Sequence, residues 1–448
     1  MKKYQTFFLI FLCVVLMMPL HAHAEEIGLN QQQPLDTQKE HFGTAGAVIV
    51  YEMNTKTLVY AYKPDARINP TDMVELMTVW LAVERGNLQE MVTVDGALMK
   101  SAIWNISADL KAGEEISLLD LLYCVMLPGA NDAAAMVAQH IAGSQSDFVV
   151  LMNEKAAALG CQNTHFTNVN GKNDDNQYST ARDLAIITEA ALQNPTFAEI
   201  YSAKTYTVKT TNLSTPRNLT TANYMVDESK GSFYDSRVTG GKAGYATTKD
   251  RSVICTAENG NSKYLCVVMS AVSSSATGYA NFVDAGKWLD YAFSKFSVRQ
   301  VLTPEQSVGQ YAVAGGENYV TAIPDQTVYA LLPKDFDAAN LRFECVANDL
   351  SAPLEAGSVI GTVKIYYGDM MVGLANLTAR HAVAAEGVMI RPAEPVKTGS
   401  LLPKILIGAG IAVVGLALVA GGILVAMRLR NTYRWGKKKM SRKGSVKP

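Results

Sequence analysis

Asp72 and Glu75 lie three residues apart at the start of a helical pattern, which places both carboxylates on one face of a first turn. Two carboxylates so placed can share general acid and base work when their surroundings hold them in different protonation states. The same pair also fits a capping box. Asp72 would accept from the free amides of the first turn and Glu75 would reach back, both favoured by the positive end of the helix dipole. Whether these acids do chemistry or cap decides how the chain is read.

The segment that must position them, residues 69–84, enters from Asn69-Pro70. It repeats Met73, Leu76, Met77, Trp80 and Leu81 at helical spacing, and Gly86 is placed to end it. Before it, residues 45–52 and 57–62 read as two strands joined by a tight turn at Asn54-Thr55-Lys56. After it, residues 117–127 and 132–141 read as helices interrupted by Pro128-Gly129-Ala130-Asn131. Residues 147–159 and 180–191 are further helices, the latter with Ser179 or Thr180 as cap. Strands return at 240–245, 252–257 and 264–271, with a turn at Asn259-Gly260-Asn261, and a helix at 280–293 closes the segment. Helices between an early and a late hairpin predict one α/β (α+β) layer domain whose sheet draws on both ends, residues 45–297. From 298 to 392 short strands such as 319–323, 327–332 and 361–367 predict a small all-β domain, a sandwich or barrel.

The termini carry the sorting information. Lys2 and Lys3, an apolar run over 7–20 and Ala22-His23-Ala24 form a secretory signal peptide, residues 1–24. Polar residues 25–44 read as a flexible lead. A linker, 393–404, precedes an uncharged run at 405–427, about the ~20 residues that a transmembrane helix needs. The basic tail, 428–448, contains no acid, so the positive-inside rule predicts a single-pass membrane protein with its domains extracytoplasmic and its C-terminus cytoplasmic. Gly408, Ala412, Gly415 and Gly422 form a small-residue stripe suited to a homodimer, although such residues are also simply common in membrane helices.

The formal net charge is -1, and with the tail set aside the remainder is acidic, which argues against a nucleic-acid partner. His41, His140, His165 and His381 lack metal-ligand spacing, and no metal or cofactor is expected. Cys255 and Cys266 face each other across the predicted hairpin, either as a disulfide or as two buried thiols.

Several segments together resemble the serine-type D-alanyl-D-alanine carboxypeptidases, the low-molecular-mass penicillin-binding proteins. The matching runs include Leu76-Met77-Thr78, Ala130-Asn131-Asp132-Ala133-Ala134, Asn163-Thr164-His165-Phe166 and Tyr178-Ser179-Thr180-Ala181-Arg182-Asp183-Leu184, spread in order over 45–392. The resemblance implies a penicillin-binding/β-lactamase-like fold and peptidoglycan metabolism. It also implies three motifs at one site: Ser-x-x-Lys for the nucleophile, Ser-x-Asn, and Lys-Thr-Gly for the substrate carboxylate.

Each motif is altered. Asp72 stands at the Ser position and Glu75 at the Lys position; Gly129-Ala130-Asn131 replaces Ser-x-Asn, and Lys242-Ala243-Gly244 replaces Lys-Thr-Gly. Only Asn131, Lys242 and Gly244 are kept. A carboxylate ~4 Å from an incoming peptide carboxylate repels it by roughly 1 to 4 kcal/mol, and no hydroxyl remains at the nucleophile position. Lys242 is expected near the two acids, paired with Glu75 or Asp72. The resulting expectation is a pseudoenzyme that binds peptidoglycan stem peptide or an envelope protein. The alternative is a hydrolase using Asp72 and Glu75.

Overall fold

The computed structural model describes residues 28–386 apart from 38, 102–105, 248–249, 275–277 and 317. The expected signal peptide, linker, membrane span at 405–427 and basic tail lie outside the described residues. Among the described residues no helix is long and apolar enough to cross a membrane.

Strand β1 (Ala47–Glu52) is buried along its whole length because its two faces serve two cores. Ala47, Ile49 and Tyr51 face one apolar cluster, Val48 and Val50 the other. This is the strand alternation of period two, and burial of both faces explains an unbroken apolar run in the sequence. The expected hairpin forms with β2 (Thr57–Tyr62), and β3 (Met91–Thr93) and β4 (Glu115–Ser117) make a separate small ribbon. So do β5 (Thr205–Val208) and β6 (Arg217–Thr220). The late strands β7 (Val238–Thr247), β8 (Asp250–Asn259) and β9 (Ser262–Val272) join the first hairpin in one five-stranded antiparallel sheet ordered β2-β1-β9-β8-β7. Ala47 opposite Met269 and Val50 opposite Cys266 fix the register between the two ends of the segment.

One face of the sheet carries the helices that follow β2. These are α1 (Val74–Arg85), the short α2 (Gly96–Ser101), α3 (Leu118–Met126), α4 (Asn131–Ala142), α5 (Gln145–Ala158), α6 (Ala181–Ala191) and α7 (Pro195–Ser202). Ser117, Ser144 and Thr180 cap their helices by accepting from the amide of the third residue onward. Gly143 ends α4 in the left-handed conformation that a helix stop favours. The other face is covered by α8 (Ala280–Lys295), whose Trp288 is fully buried.

The β-domain begins at Phe296, two residues before the expected boundary, because the chain passes from α8 directly into β10 (Phe296–Leu302). Strands β11 (Gly309–Ala312), β12 (Tyr319–Pro324), β13 (Val328–Pro333), β14 (Leu341–Ala347), β15 (Val359–Tyr367) and β16 (Met370–Ala379) follow. β10 pairs with β13, and a five-stranded sheet ordered β11-β12-β16-β15-β14 encloses a third core containing Val320, Ile365 and Leu377.

One expectation needs correction, and one open choice is resolved. The lead is not a loose tail over 28–44. Leu35 and Asp36 donate backbone hydrogen bonds to Leu58 and Val59 of β2, Gln32 bonds both Leu58 and Lys56, and Leu35 packs against both the second and third cores. Its anchor is aromatic, with Phe42 stacked on Trp288 at 3.8 Å and His41 on Tyr62 at 3.7 Å. Cys255 and Cys266 do stand directly opposite each other, and both are buried free thiols.

Trp288→Ala should therefore cost about 3–5 kcal/mol in denaturant unfolding, the range for deleting a large buried ring. It should also expose Lys39, whose ammonium lies 5.0 Å from the Phe42 ring, to trypsin. Cleavage at Lys39 no faster than in the parent protein would contradict the docked lead.

Candidate active site

The turn into α1 is built by close packing, not by side-chain caps. Asn69 accepts from the Thr71 amide at 2.9 Å, and residues Thr71–Met73 form one 3₁₀ turn before the α-helix starts. Thr71 has a φ of 53°, a conformation strained for a β-branched residue and of the kind that persists where surrounding structure over-determines it. Two glycines supply that constraint. A Cβ on Gly171 would lie 2.3 Å from the Thr71 carbonyl oxygen, and one on Gly244 would lie 2.8 Å from the Asp72 Cβ. Only hydrogen fits at either position.

The capping box is not formed. Neither the 3₁₀ turn nor α1 has a side-chain cap. Glu75 is fully buried and points into the molecule, where its Oε2 lies 2.6 Å from Lys242 Nζ. The reason is tertiary. β7 delivers an equally buried ammonium beside the first turn of α1, and an unpaired ion there would carry a solvation penalty of several kcal/mol. Lys242 also donates to the Val125 carbonyl at 2.7 Å and the Met126 carbonyl at 3.0 Å, both at the negative C-terminal end of α3. The ammonium thus donates to two carbonyls and forms a close ion pair with Glu75.

Burial raises the Glu75 carboxyl pKa, and Lys242 pulls it down. Both Glu75 carboxyl oxygens and Thr71 Oγ1 are buried without a hydrogen-bond partner, so Glu75 and Lys242 meet as a close ion pair and not through an aligned hydrogen bond. Burial pushes Asp72 up to about 6, again opposed by Lys242. No hydrogen bond to the Asp72 carboxylate forms among the described residues.

Of the remaining expected positions, Gly129 lies against the same pair and Gly244 against Asp72. Gly129 has a φ of 79°, and a Cβ there would lie 3.3 Å from Lys242 Nζ and 3.4 Å from Glu75 Oε2. A side chain at 129 would thus enter the pocket beside the pair, and there is none. Asn131 opens α4 and ties three loops together: its amide donates to Ile106 O at 2.8 Å and its Nδ2 to Asn170 O at 3.2 Å. Ala243 contributes a methyl to the second core, and no hydroxyl. Of the seven sequence-predicted residues, Asp72, Glu75, Gly129, Asn131, Lys242 and Gly244 come from the turn into α1, the α3–α4 connection and β7, which meet around the Lys242–Glu75 pair, whereas Ala243 faces the second core. Sequence reading missed Thr71, Asn170 and Gly171. The Asn170-Gly171 dipeptide is a turn signal, but nothing in it says which backbone it must approach. Among the described residues no cluster of side chains could hold a metal.

With that geometry in place, comparison with known proteins is direct. The family described as D-alanyl-D-alanine carboxypeptidase matches residues 34–273, and the penicillin-binding protein 5 C-terminal domain matches residues 296–385. The chain belongs to the D-alanyl-D-alanine carboxypeptidase family. It is 28% identical over 359 residues to the D-alanyl-D-alanine carboxypeptidase DacA of Haemophilus influenzae, covering 77% of this chain and 86% of that protein. It is 26% identical over 324 residues to DacF of Bacillus subtilis, covering 71% and 80%. Among solved structures, penicillin-binding protein 5 of Haemophilus influenzae superimposes with a TM-score of 0.63 at 25% identity, covering 77% of this chain and 99% of that one.

Asp72 gives a signed pH prediction. Its pKa rises from 3.8 to about 6 on folding. The native state therefore binds the proton more tightly, and the contribution to stability is greatest below 3.8 and lost as pH rises through 6. Asp72→Asn removes this dependence, so relative to the parent it should be more stable at neutral pH than at acid pH. Denaturant unfolding of both proteins across that window measures it. A stability difference that does not change with pH would refute the assignment.

Proposed function

We propose that this chain is a membrane-anchored family member that does not form an acyl-enzyme. It acts by binding peptidoglycan stem peptide or an envelope protein through the retained cleft or the β-domain. The observation that carries the reading is the Lys242 ammonium, which is buried, donates to two helix carbonyls and lies 2.6 Å from the Glu75 carboxyl. Enclosed in this way and 1% exposed, it is not presented to a substrate carboxylate or to a nucleophile. The pocket also lacks a hydroxyl at 72, 129 and 243, so no side chain at these motif positions can carry an acyl group in the manner of a serine enzyme.

The acid/base alternative draws on Asp72, a half-buried carboxyl with a raised pKa and no hydrogen-bond partner. It needs Glu75 as the second group, and Glu75 is paired and without solvent access. Retained strain at Thr71 and the close approach of Gly171 and Gly244 favour a site whose shape outlived its nucleophile. Membrane anchoring rests on residues 405–427 and the basic segment after them, with the small-residue stripe at Gly408, Ala412, Gly415 and Gly422 as the candidate dimer contact.

Fluorescent penicillin tests the chemical half of the proposal. The parent chain should show no covalent band, and Asp72→Ser combined with Glu75→Lys should gain one if the scaffold is otherwise competent. A band in the parent that disappears on Asp72→Ala would overturn it. Co-sedimentation with purified peptidoglycan tests the binding half, with retention of the chain expected and its absence pointing to an envelope protein as the ligand.

A further inference from the structure

A groove of about 530 Å³ runs where the docked lead, the β1–β2 turn and the tips of the β12–β13 and β15–β16 turns meet. It involves none of the pocket residues described above. Its rim is dense in neutral hydrogen-bonding groups. The side-chain amides of Gln31, Gln33 and Gln326 and the hydroxyl of Thr327 line it, and none of them has a hydrogen-bond partner among the described residues. The floor is apolar, formed in part by buried Val328 and Val372. Tyr329 stands at its edge, 49% exposed although it lies within a strand.

Charge narrows the class of ligand. The groove contains one cation, Lys56, and its ammonium is already 2.5 Å from Glu189. It contains one carboxylate, Asp369, which has no partner among the described residues. An anion would meet an unpaired carboxylate and no available cation. Amides that both donate and accept, a carboxylate that can take two hydroxyls, an exposed ring and an apolar floor together match a molecule with alternating hydroxyls and apolar C–H faces.

We propose that this groove binds a neutral saccharide chain, with N-acetyl groups as partners for the glutamine amides. The site depends on the ordered lead, since Gln31 and Gln33 reach the groove only because Gln32 fastens the lead to Lys56 and Leu58. It does not depend on whether the Asp72 pocket is silent, so penicillin labelling and saccharide binding can succeed or fail separately.

The test is calorimetric titration of the full chain, in a detergent without a sugar headgroup, with the neutral N-acetylglucosamine trimer. Saturable binding is expected, weakened about tenfold or more by Tyr329→Ala, the loss of one good contact. Because Tyr329 lies in a strand, Asp369→Ala in the exposed turn is the second variant, expected to weaken binding while leaving the unfolding midpoint unchanged. No saturable binding, or binding unaltered in both variants, would overturn the proposal.

Discussion

The ammonium of Lys242 is 1% exposed and sits where three separate segments meet: β7 brings it, α3 ends over it and α1 begins beside it. An ion removed from water to that degree must find its compensation in the protein, because the effective penalty remains several kcal/mol even after relaxation. Two carbonyls at a helix C-terminus supply part of it, and the Glu75 carboxylate supplies the rest. The first turn of α1 follows from this requirement. Glu75 turns inward, Asp72 is left beside Gly244 without a donor, and the helix starts through a 3₁₀ turn in place of a capped N-terminus.

The resemblance described above implies a serine at position 72 and a lysine at position 75. Changing only the lysine to glutamate places opposite charges 2.6 Å apart in this pocket. The fold therefore tolerates the change, and the pocket stays closed on its own ions. The same argument explains why the surrounding shape is kept. Gly171 and Gly244 pack against the Thr71-Asp72 backbone so tightly that a methyl group would collide, and this packing stabilises the turn whatever side chain it displays. Position 129, where a side chain would point at the ion pair, holds none.

Much of this was readable in the sequence, for reasons that differ by element. The α1, α3, α4, α5, α6 and α8 segments showed their apolar spacing because each buries one face, and the sheet strands showed as apolar runs because both faces are covered. The β3–β4 and β5–β6 ribbons and the short α2 and α7 were missed. They are brief, and all but α7, which buries Phe197, Ile200 and Tyr201, are mostly exposed or half-buried. The nearness of Lys242 to the acids at 72 and 75 was expected from the resemblance, whereas the inward turn of Glu75 was not. Two acids at a helix start look like caps locally, and only a lysine arriving from more than 160 positions away changes their direction. The lead read as flexible because its composition is polar; its attachment depends on Leu35 and Phe42 finding partners in distant segments.

The central claim is that Glu75 and Lys242 form one coupled unit that fills the pocket. A double-mutant cycle measures it directly: Glu75→Gln, Lys242→Met and the two together, each unfolded in urea at neutral pH. Either single change should cost about 3–5 kcal/mol, because it leaves a buried partner uncompensated. The double variant should cost less than the sum, with a coupling of roughly 2 kcal/mol or more. Single costs that simply add would mean that the two groups do not depend on each other, and would contradict the account.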